Sequence, residues 1–344
     1  MKTISEAITK SPDSNDKIVI SISHLGFIER TPLARISSLT RGGAGIKAFY
    51  TRENDFVEYV SLATIKSTII FFTSSGFFYW LRACDIPENV SNSNEYKVQN
   101  LLNIKTGDHI KTFLVVEDYS NATFLDSHYI EFCTKNGVVK RTRLMEYFRQ
   151  HNDIIRPQIN GIKAIFIREE DDFVNAVVTN GENDLILASR EGRANRFNES
   201  KLRLMGRNCT GQSGFNLRDE EDEVVGIIQI NDVETENVMF ISDNGYGIRN
   251  NLEDFRITNR FSVGVKSMDV TNETGKVVDI FTVTDDTDLI TFHKSGVINR
   301  IKVKNIPIKK RATRCVKLID MLPENDQIIC VLKVDDFDKS EDEL

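Results

Sequence analysis

The feature that most constrains this chain is a repeat. One unit recurs six times: an apolar strand, a tight turn closed by glycine, then a second strand. The copies read VISISHLGFIER, IIFFTSSGFFYW, YIEFCTKNGVVKR, LILASREGRANR, VMFISDNGYGIR and LITFHKSGVINR. Their turn glycines are Gly26, Gly76, Gly137, Gly192, Gly245 and Gly296, spaced by 50, 61, 55, 53 and 51 residues. A period of this length signals an array of supersecondary units that bury their apolar faces against one another. Two of the turns are Asn-Gly, the pair best suited to the positive φ of a two-residue hairpin.

The second half of the unit repeats as well. A loop leads to Gly-(Ile/Val)-Lys at Gly45-Ile46-Lys47, Gly161-Ile162-Lys163 and Gly264-Val265-Lys266. Repeat six has Cys315-Val316-Lys317, repeat four has Gly211-Gln212-Ser213, and repeat two lacks the glycine. An acidic turn and a third apolar strand follow, as in NDFVEYVSLA and NDQIICVLKV. Each unit therefore supplies about four short strands and almost no helix. The longest helical candidates are short pieces near 144–150 and 252–255. The expected fold is all-β, a six-bladed propeller-like ring of four-stranded blades, which leaves only short protected edges. A solenoid is the alternative, disfavoured because no repeat looks like a cap. The expected boundaries are a polar linker at 1–16, a ring at 17–334 and an acidic disordered tail at 335–344. The repeats within the ring fall at 17–67, 68–126, 127–183, 184–236, 237–287 and 288–334.

Composition narrows the function classes. No apolar run reaches the ~20 residues that span a bilayer, and the first residues lack an apolar signal core. The five cysteines, Cys84, Cys133, Cys209, Cys315 and Cys330, form no CxxC pair. A reduced cytoplasmic setting without a zinc site is expected. The net charge of −7 argues against a simple nucleic-acid binder, but DDFDKSEDEL at the end carries five of those negative charges. The distribution of charge over the ring matters more than its sum.

Two basic series stand out. A basic residue lies four positions after the turn glycine in five repeats: Arg30, Arg141, Arg196, Arg249 and Arg300. In a strand, positions two and four after the glycine share a face. The first of these holds Ile28, Phe78, Val139, Ala194, Gly247 and Ile298, a mostly buried set. In the remaining repeat the equivalent of the arginine is Trp80. A site that takes Arg or Trp is read as a packing site with a long stem. The second series is the better candidate. Arg41, Arg207, Arg260 and Arg311 stand four residues before the Gly-x-Lys glycine position, and Arg156 stands five before. Lys47, Lys163, Lys266 and Lys317 stand two after it, and Lys309, Lys310 and Arg314 add charge, with Arg143 and Lys201 nearby. A ring would set equivalent loops at one radius, a positive band suited to a curved polyanion. The plain alternative is solvated loops with ordinary surface charge.

Enzyme chemistry finds little support. The loop SSLTRGGAGIKAF lacks the G-x-x-x-x-G-K-[ST] spacing and the following helix of a phosphate-binding loop. The five histidines are scattered, and neither G-x-S-x-G nor HExxH occurs. Acidic pairs such as Asp171-Asp172 fall in turns, where Asp is expected for local hydrogen bonds.

These residues resemble a known family over nearly the whole chain, from about Lys17 to Val334. ISHLGFIERTPLARISSLTRGGAGIKA is similar to the first blade of the bacterial DNA gyrase A C-terminal domain, a domain type shared with topoisomerase IV. SDNGYGIRNNLEDFRITNRFSVGVKSM and NRFNESKLRLMGRNCTGQSG resemble later blades. The family's box, Q-R-R-G-G-K-G, maps onto 39–45; Arg41, Gly42, Gly43 and Gly45 match, while Leu39, Thr40 and Ala44 depart from it. The resemblance implies a β-pinwheel, a propeller variant with strands exchanged between blades, and DNA wrapped on its basic outer rim to support negative supercoiling. Arg41, Lys47 and their equivalents would contact phosphate. It implies partners in duplex DNA, the N-terminal region of gyrase A and the gyrase B protein, with the isolated domain monomeric and no membrane association. It implies no cofactor for this domain, ATP and Mg being used elsewhere in the holoenzyme. No place for the breakage–reunion tyrosine is found, so the chain alone is expected to be non-catalytic. The alternatives are a topoisomerase IV domain, or a propeller scaffold for protein partners.

Overall fold

The first strand of each repeat is apolar at consecutive positions, and the computed structural model shows why. Thr68–Thr73 is buried at all six positions and Thr287–His293 at all seven. Each such strand is covered on both faces. Ile70 and Phe72 pack with Ile130 and Phe132 of the next repeat, while Ile69 and Phe71 pack with Ile20 and Ile22 of the previous one. Six apolar cores lie between successive repeats in this way. Each fully buried Ile or Phe contributes about 1.5–3 kcal/mol. The structure describes residues 17–40, 46–47, 54–88, 96–116, 122–148, 150–151, 154–155, 157–320 and 326–335.

The blades are antiparallel and share one strand order. Blade 4 runs Val224–Ile230, Asp184–Ser189, Arg193–Asn198, Val265–Lys266. Its fourth strand belongs to repeat five. The same exchange pairs Gln158–Lys163 with Phe77–Arg82, Gln212–Ser213 with Val138–Arg143 and Val316–Lys317 with Tyr246–Asn251. Ile46–Lys47 of repeat one completes the last blade against Val297–Lys302, so the ring closes on itself. Each repeat thus gives its Gly-x-Lys strand to the blade before it. Among the described residues, repeat two, without the glycine, contributes no such strand but bridges Lys97 to Phe27 and Glu88 to Arg30, with the Ile28 N–H donating to the Tyr96 carbonyl at 2.9 Å. The third strands, from Val57–Thr64 to Ile328–Asp335, pack in succession around the centre.

Two turn chemistries hold the hairpins. Gly192 has φ 78°, and a Cβ there would run into the Met268 backbone. Its own carbonyl accepts the N–H groups of Ser267 and Met268 at 2.8 and 3.1 Å. Left-handed backbone and close approach together require glycine. The acidic turns cap the hairpins from the side: Asp55, Asp108, Asp171, Asp222 and Asp326 accept the N–H groups of Leu25, Ser75, Asn136, Glu191 and Ser295 at 2.9–3.0 Å. Repeat five inverts the bond. Asp243 on the hairpin accepts the Lys276 N–H at 2.8 Å, and Gly275 lies where a Cβ would collide with that carboxylate.

The helices differ from expectation. The pieces near 144–150 and 252–255 are 3₁₀ turns at Leu144–Tyr147 and Leu252–Asp254. The α-helices Leu33–Thr40, Val98–Leu101 and Ala122–Ser127 are additional to those pieces. Leu33 and Ile36, one turn apart, bury against Ile290 and Ile298 of the last blade. Pro32, which has no N–H to place in a ladder, ends the preceding strand. The polar lead at 1–16 and the tail beyond Asp335 lie outside the described residues. No helix among the described residues is long and apolar enough to cross a membrane.

Candidate nucleic-acid interface

The hairpin arginines are part of the ring's internal structure. Arg196 Nη1 donates to the Leu252 carbonyl at 3.2 Å, Arg249 Nη1 to Val303 at 3.2 Å and Arg141 Nη1 to Glu199 at 3.4 Å. Each acceptor is the first residue of the 3₁₀ turn in the next repeat. The same guanidinium binds its own blade twelve residues back. Arg196 pairs with Asp184 at 2.7 Å, Arg249 donates to Asn237 at 2.8 Å and Arg300 donates through Nε to Asp288 at 2.8 Å. Arg141 finds Tyr129 there instead and lies 4.0 Å over its ring. Trp80 fills the equivalent place in blade 2 and packs among Leu144 and Phe148. These side chains are blade-to-blade staples, in line with their alternation with Trp, and the residues two positions earlier on that face, Ile28 through Ile298, are all buried.

The rim loops divide. Arg41, Gly42, Gly43, Gly45 and Arg156 lie outside the described residues; Lys47 enters only through its backbone pairing with Val297. Arg260 Nη1 donates to the Ser213 carbonyl at 2.9 Å, and Arg311 Nη1 to the Lys266 carbonyl at 2.8 Å. Both acceptors are exchanged strands, so these arginines clasp the loop of the preceding repeat while part of each guanidinium stays at the surface. Arg207 is half-buried. Lys163 donates to the Ser75 carbonyl at 2.6 Å and lies over Phe77, and burial pulls its pKa down. Lys266 and Lys317 each pair with an aspartate three residues on, Asp269 and Asp320. The hydrogen bond to Asp320, then its charge, raises Lys317. That pairing weakens both lysines as phosphate contacts.

Other cations stand more openly. Lys310 and Arg314 are exposed, and Lys309 Nζ donates to the Arg314 carbonyl at 2.9 Å. Lys201 is exposed, and Arg143 pairs with Asp126 at 3.4 Å. Sequence reasoning missed Arg203 and Arg256, both exposed. They occupy one register, four residues before Arg207 and Arg260, a spacing that aligning the loops would have exposed. Repeats four to six therefore place Arg203, Arg207, Arg256, Arg260, Lys309, Lys310 and Arg314 on equivalent loops. Such loops offer charge in sequence along a curved edge, which suits phosphate and gives no means of reading bases. Among the described residues no three His, Cys, Asp or Glu side chains gather to hold a metal ion.

The comparisons agree with this architecture. The family model for the DNA gyrase C-terminal domain, a β-propeller, matches residues 17–64, 67–117, 183–231, 236–284 and 288–335. The DNA gyrase A protein of Staphylococcus aureus strain MRSA252 is 34% identical over 331 residues, which is 95% of this chain and 36% of that protein. The chain thus spans about a third of the length of the curated relatives it matches. A solved structure of a DNA gyrase A C-terminal domain superposes with TM-score 0.76 at 20% identity, over 92% of this chain and 99% of that one. A topoisomerase IV C-terminal domain gives TM-score 0.68 at 22% identity, over 95% and 96%. Six antiparallel blades, one strand of each lent to its neighbour, and a family match over most of their length place this chain in the DNA gyrase A C-terminal domain family.

Proposed function

We propose that this ring binds and bends duplex DNA without sequence preference, wrapping it on the outer rim in support of negative supercoiling by a gyrase holoenzyme. The observation that carries the reading is the recurrence of cations on equivalent rim loops: Arg203 and Arg256 at one register, Arg207, Arg260 and Arg311 at a second, with Lys309, Lys310 and Arg314 beside them in repeat six. Arg41, Lys47, Arg156 and Lys163 would extend the band over the remaining arc. Lys266 and Lys317 contribute less, because each already pairs with an aspartate. Retention of Arg41, Gly42, Gly43 and Gly45 favours gyrase over topoisomerase IV. The natural setting is then the bacterial cytoplasm, with the N-terminal region of gyrase A and with gyrase B as partners.

Bending stiff duplex over a small ring costs several kcal/mol, so contacts from several blades must combine. Binding should therefore weaken steeply with salt and favour duplexes long enough to reach more than one blade. A gel-shift series over DNA length and salt tests this; no binding at low salt overturns it. A topology assay on relaxed circular DNA, closed in the presence of the chain, reads wrapping and its hand. An Arg41→Ala, Lys47→Ala double variant should lose wrapping while keeping the folded ring.

A further inference from the structure

We infer that Leu204, Ile257 and Ile308 are a second set of DNA contacts: an aliphatic row that packs against the deoxyribose edges of the duplex and adds a component of binding that salt does not screen. The inference rests on the DNA-binding reading above. These residues are 44%, 58% and 48% exposed. A single exposed aliphatic side chain is ordinary and signifies nothing. These three share one register. Each forms a parallel bridge with a hairpin arginine of the preceding blade: Leu204 with Arg141, Ile257 with Arg196, Ile308 with Arg249. The next N–H in each case, from Met205, Thr258 and Lys309, donates to that arginine's carbonyl at 2.9, 2.9 and 2.8 Å. The row is therefore pinned by backbone to the outer edges of blades 3, 4 and 5. The arginine side chains beneath it turn inward to the 3₁₀ turns.

The charges around the row identify its occupant. Leu204 sits between Arg203 and Arg207, and Ile257 between Arg256 and Arg260. Ile308 is followed by Lys309, Lys310 and Arg311. The buried centre of a protein–protein interface is depleted in charge; here cations stand within three residues of each aliphatic residue along the chain. A duplex backbone presents the complementary pattern, phosphates alternating with apolar sugar faces. Cations meet the former and position the duplex, while the aliphatic row meets the latter. Insertion between base steps would bend the duplex toward its major groove, away from the ring, so the contact is with sugar edges alone. Phosphate neutralisation sets the salt slope of binding. Removing aliphatic surface from water does not involve counterions and moves only the intercept.

The test is fluorescence anisotropy of a labelled duplex spanning several blades, titrated with the full chain over a range of salt. Leu204→Ser, Ile257→Ser, Ile308→Ser together should weaken binding by about tenfold at every salt concentration with the slope unchanged. Arg203→Ala with Arg256→Ala should instead reduce the slope by about two. Circular dichroism and an unaltered unfolding midpoint confirm that the surface variants remain folded. Binding by the unaltered chain that the triple variant reproduces overturns the row and leaves the DNA-binding reading standing. No binding by the unaltered chain at low salt overturns both. A triple variant that keeps full affinity but sediments as a smaller species than the parent assigns the row to self-association, and also overturns it.

Discussion

In blade 5 the residue facing Arg249 across the hairpin is Met239; in blade 3 the residue facing Arg141 is Glu131. One step along the same strands, Phe240 faces Ile248 in blade 5, and Phe132 faces Lys140 in blade 3. Blade 3 thus places Glu131 and Lys140 where blade 5 has Met239 and Ile248. Toward blade 4, the Arg141 guanidinium lies 3.3 Å from Glu131 and 3.6 Å from Glu199, and both carboxylates are fully buried. Thr179 and the N–H groups of Gly181 and Asn183 satisfy Glu199. Burial first, and then the neighbouring Glu199 charge, push Glu131 well above the usual carboxylate range. Toward blade 2, Lys140 donates to the carbonyls of Ala164 and Arg207, and burial lowers its pKa to about 7. The family match leaves out 118–182, the stretch that contains blade 3's own strands. The difference teaches that the exchanged-strand architecture fixes register and backbone, while a blade interface tolerates charge wherever the next repeat supplies polar partners.

The largest effect should come from the arginines. Arg141→Ala leaves buried Glu131 and Glu199 without their cation and should cost about 4 kcal/mol. Arg249→Ala loses Asn237, the Val303 carbonyl and the exposed Asp285, and should cost about 2 kcal/mol. Urea unfolding midpoints at constant m-value compare them. Equal losses would break the contrast between the two blades.

Lys140 should come next, and its signature is a slope with pH. Its folded pKa lies below the ordinary 10.5, so between about 7 and 10.5 the unfolded chain binds more protons than the folded one. Stability of the parent protein therefore rises as pH rises through that window. The two carbonyl acceptors favour the ammonium and moderate the rise, leaving about 2 kcal/mol. Lys140→Met should be flat across the window and less stable near pH 7.5 only by the cost of two carbonyls left unsatisfied. Unfolding free energies measured at several pH values decide; an unchanged slope overturns the assignment.

Glu131 gives a smaller effect of opposite sign. Its folded pKa is raised above 4.5, so its stabilising contribution is full below that value and fades as pH rises toward the folded pKa. Glu131→Gln should be more stable than the parent at neutral pH by about 1 kcal/mol, with the gain vanishing near pH 4. The same urea series read at both pH values checks this. A constant difference between them would mean that Glu131 is charged in the folded protein.

Much of this is legible in the residues. The six turn glycines give the blade count, and the exchange of Arg for Trp80 marks the hairpin series as packing. Glu131 is visible as the one acid in the apolar run YIEFCT. Lys266-Ser-Met-Asp269 and Lys317-Leu-Ile-Asp320 show the pairings that weaken those lysines, since residues so close in sequence meet readily after a short strand. The donation of each Gly-x-Lys strand to the preceding blade is not legible from strands that are two residues long in all but one case and carry no periodicity; only family resemblance implies it. The inverted cap at Asp243 and Gly275 depends on which side of a turn holds the carboxylate, and local sequence is silent on that. Arg203 and Arg256 are legible once the loops are aligned on Gly211 and Gly264, because each stands eight residues before its glycine.

The smallest effect on stability belongs to the rim, where the contrast with blade 3 is sharpest. Lys310 and Arg314 are exposed and no blade interface depends on their charge. Lys310→Ala with Arg314→Ala should leave the unfolding midpoint within about 0.5 kcal/mol of the parent. The same pair should lower the salt slope of DNA binding by about two, one for each phosphate no longer neutralised. Charges in blade 3 would then change folding and leave the slope alone, and charges on the rim would do the reverse. A rim variant that loses stability without altering the slope would show that these cations serve the ring and not its ligand.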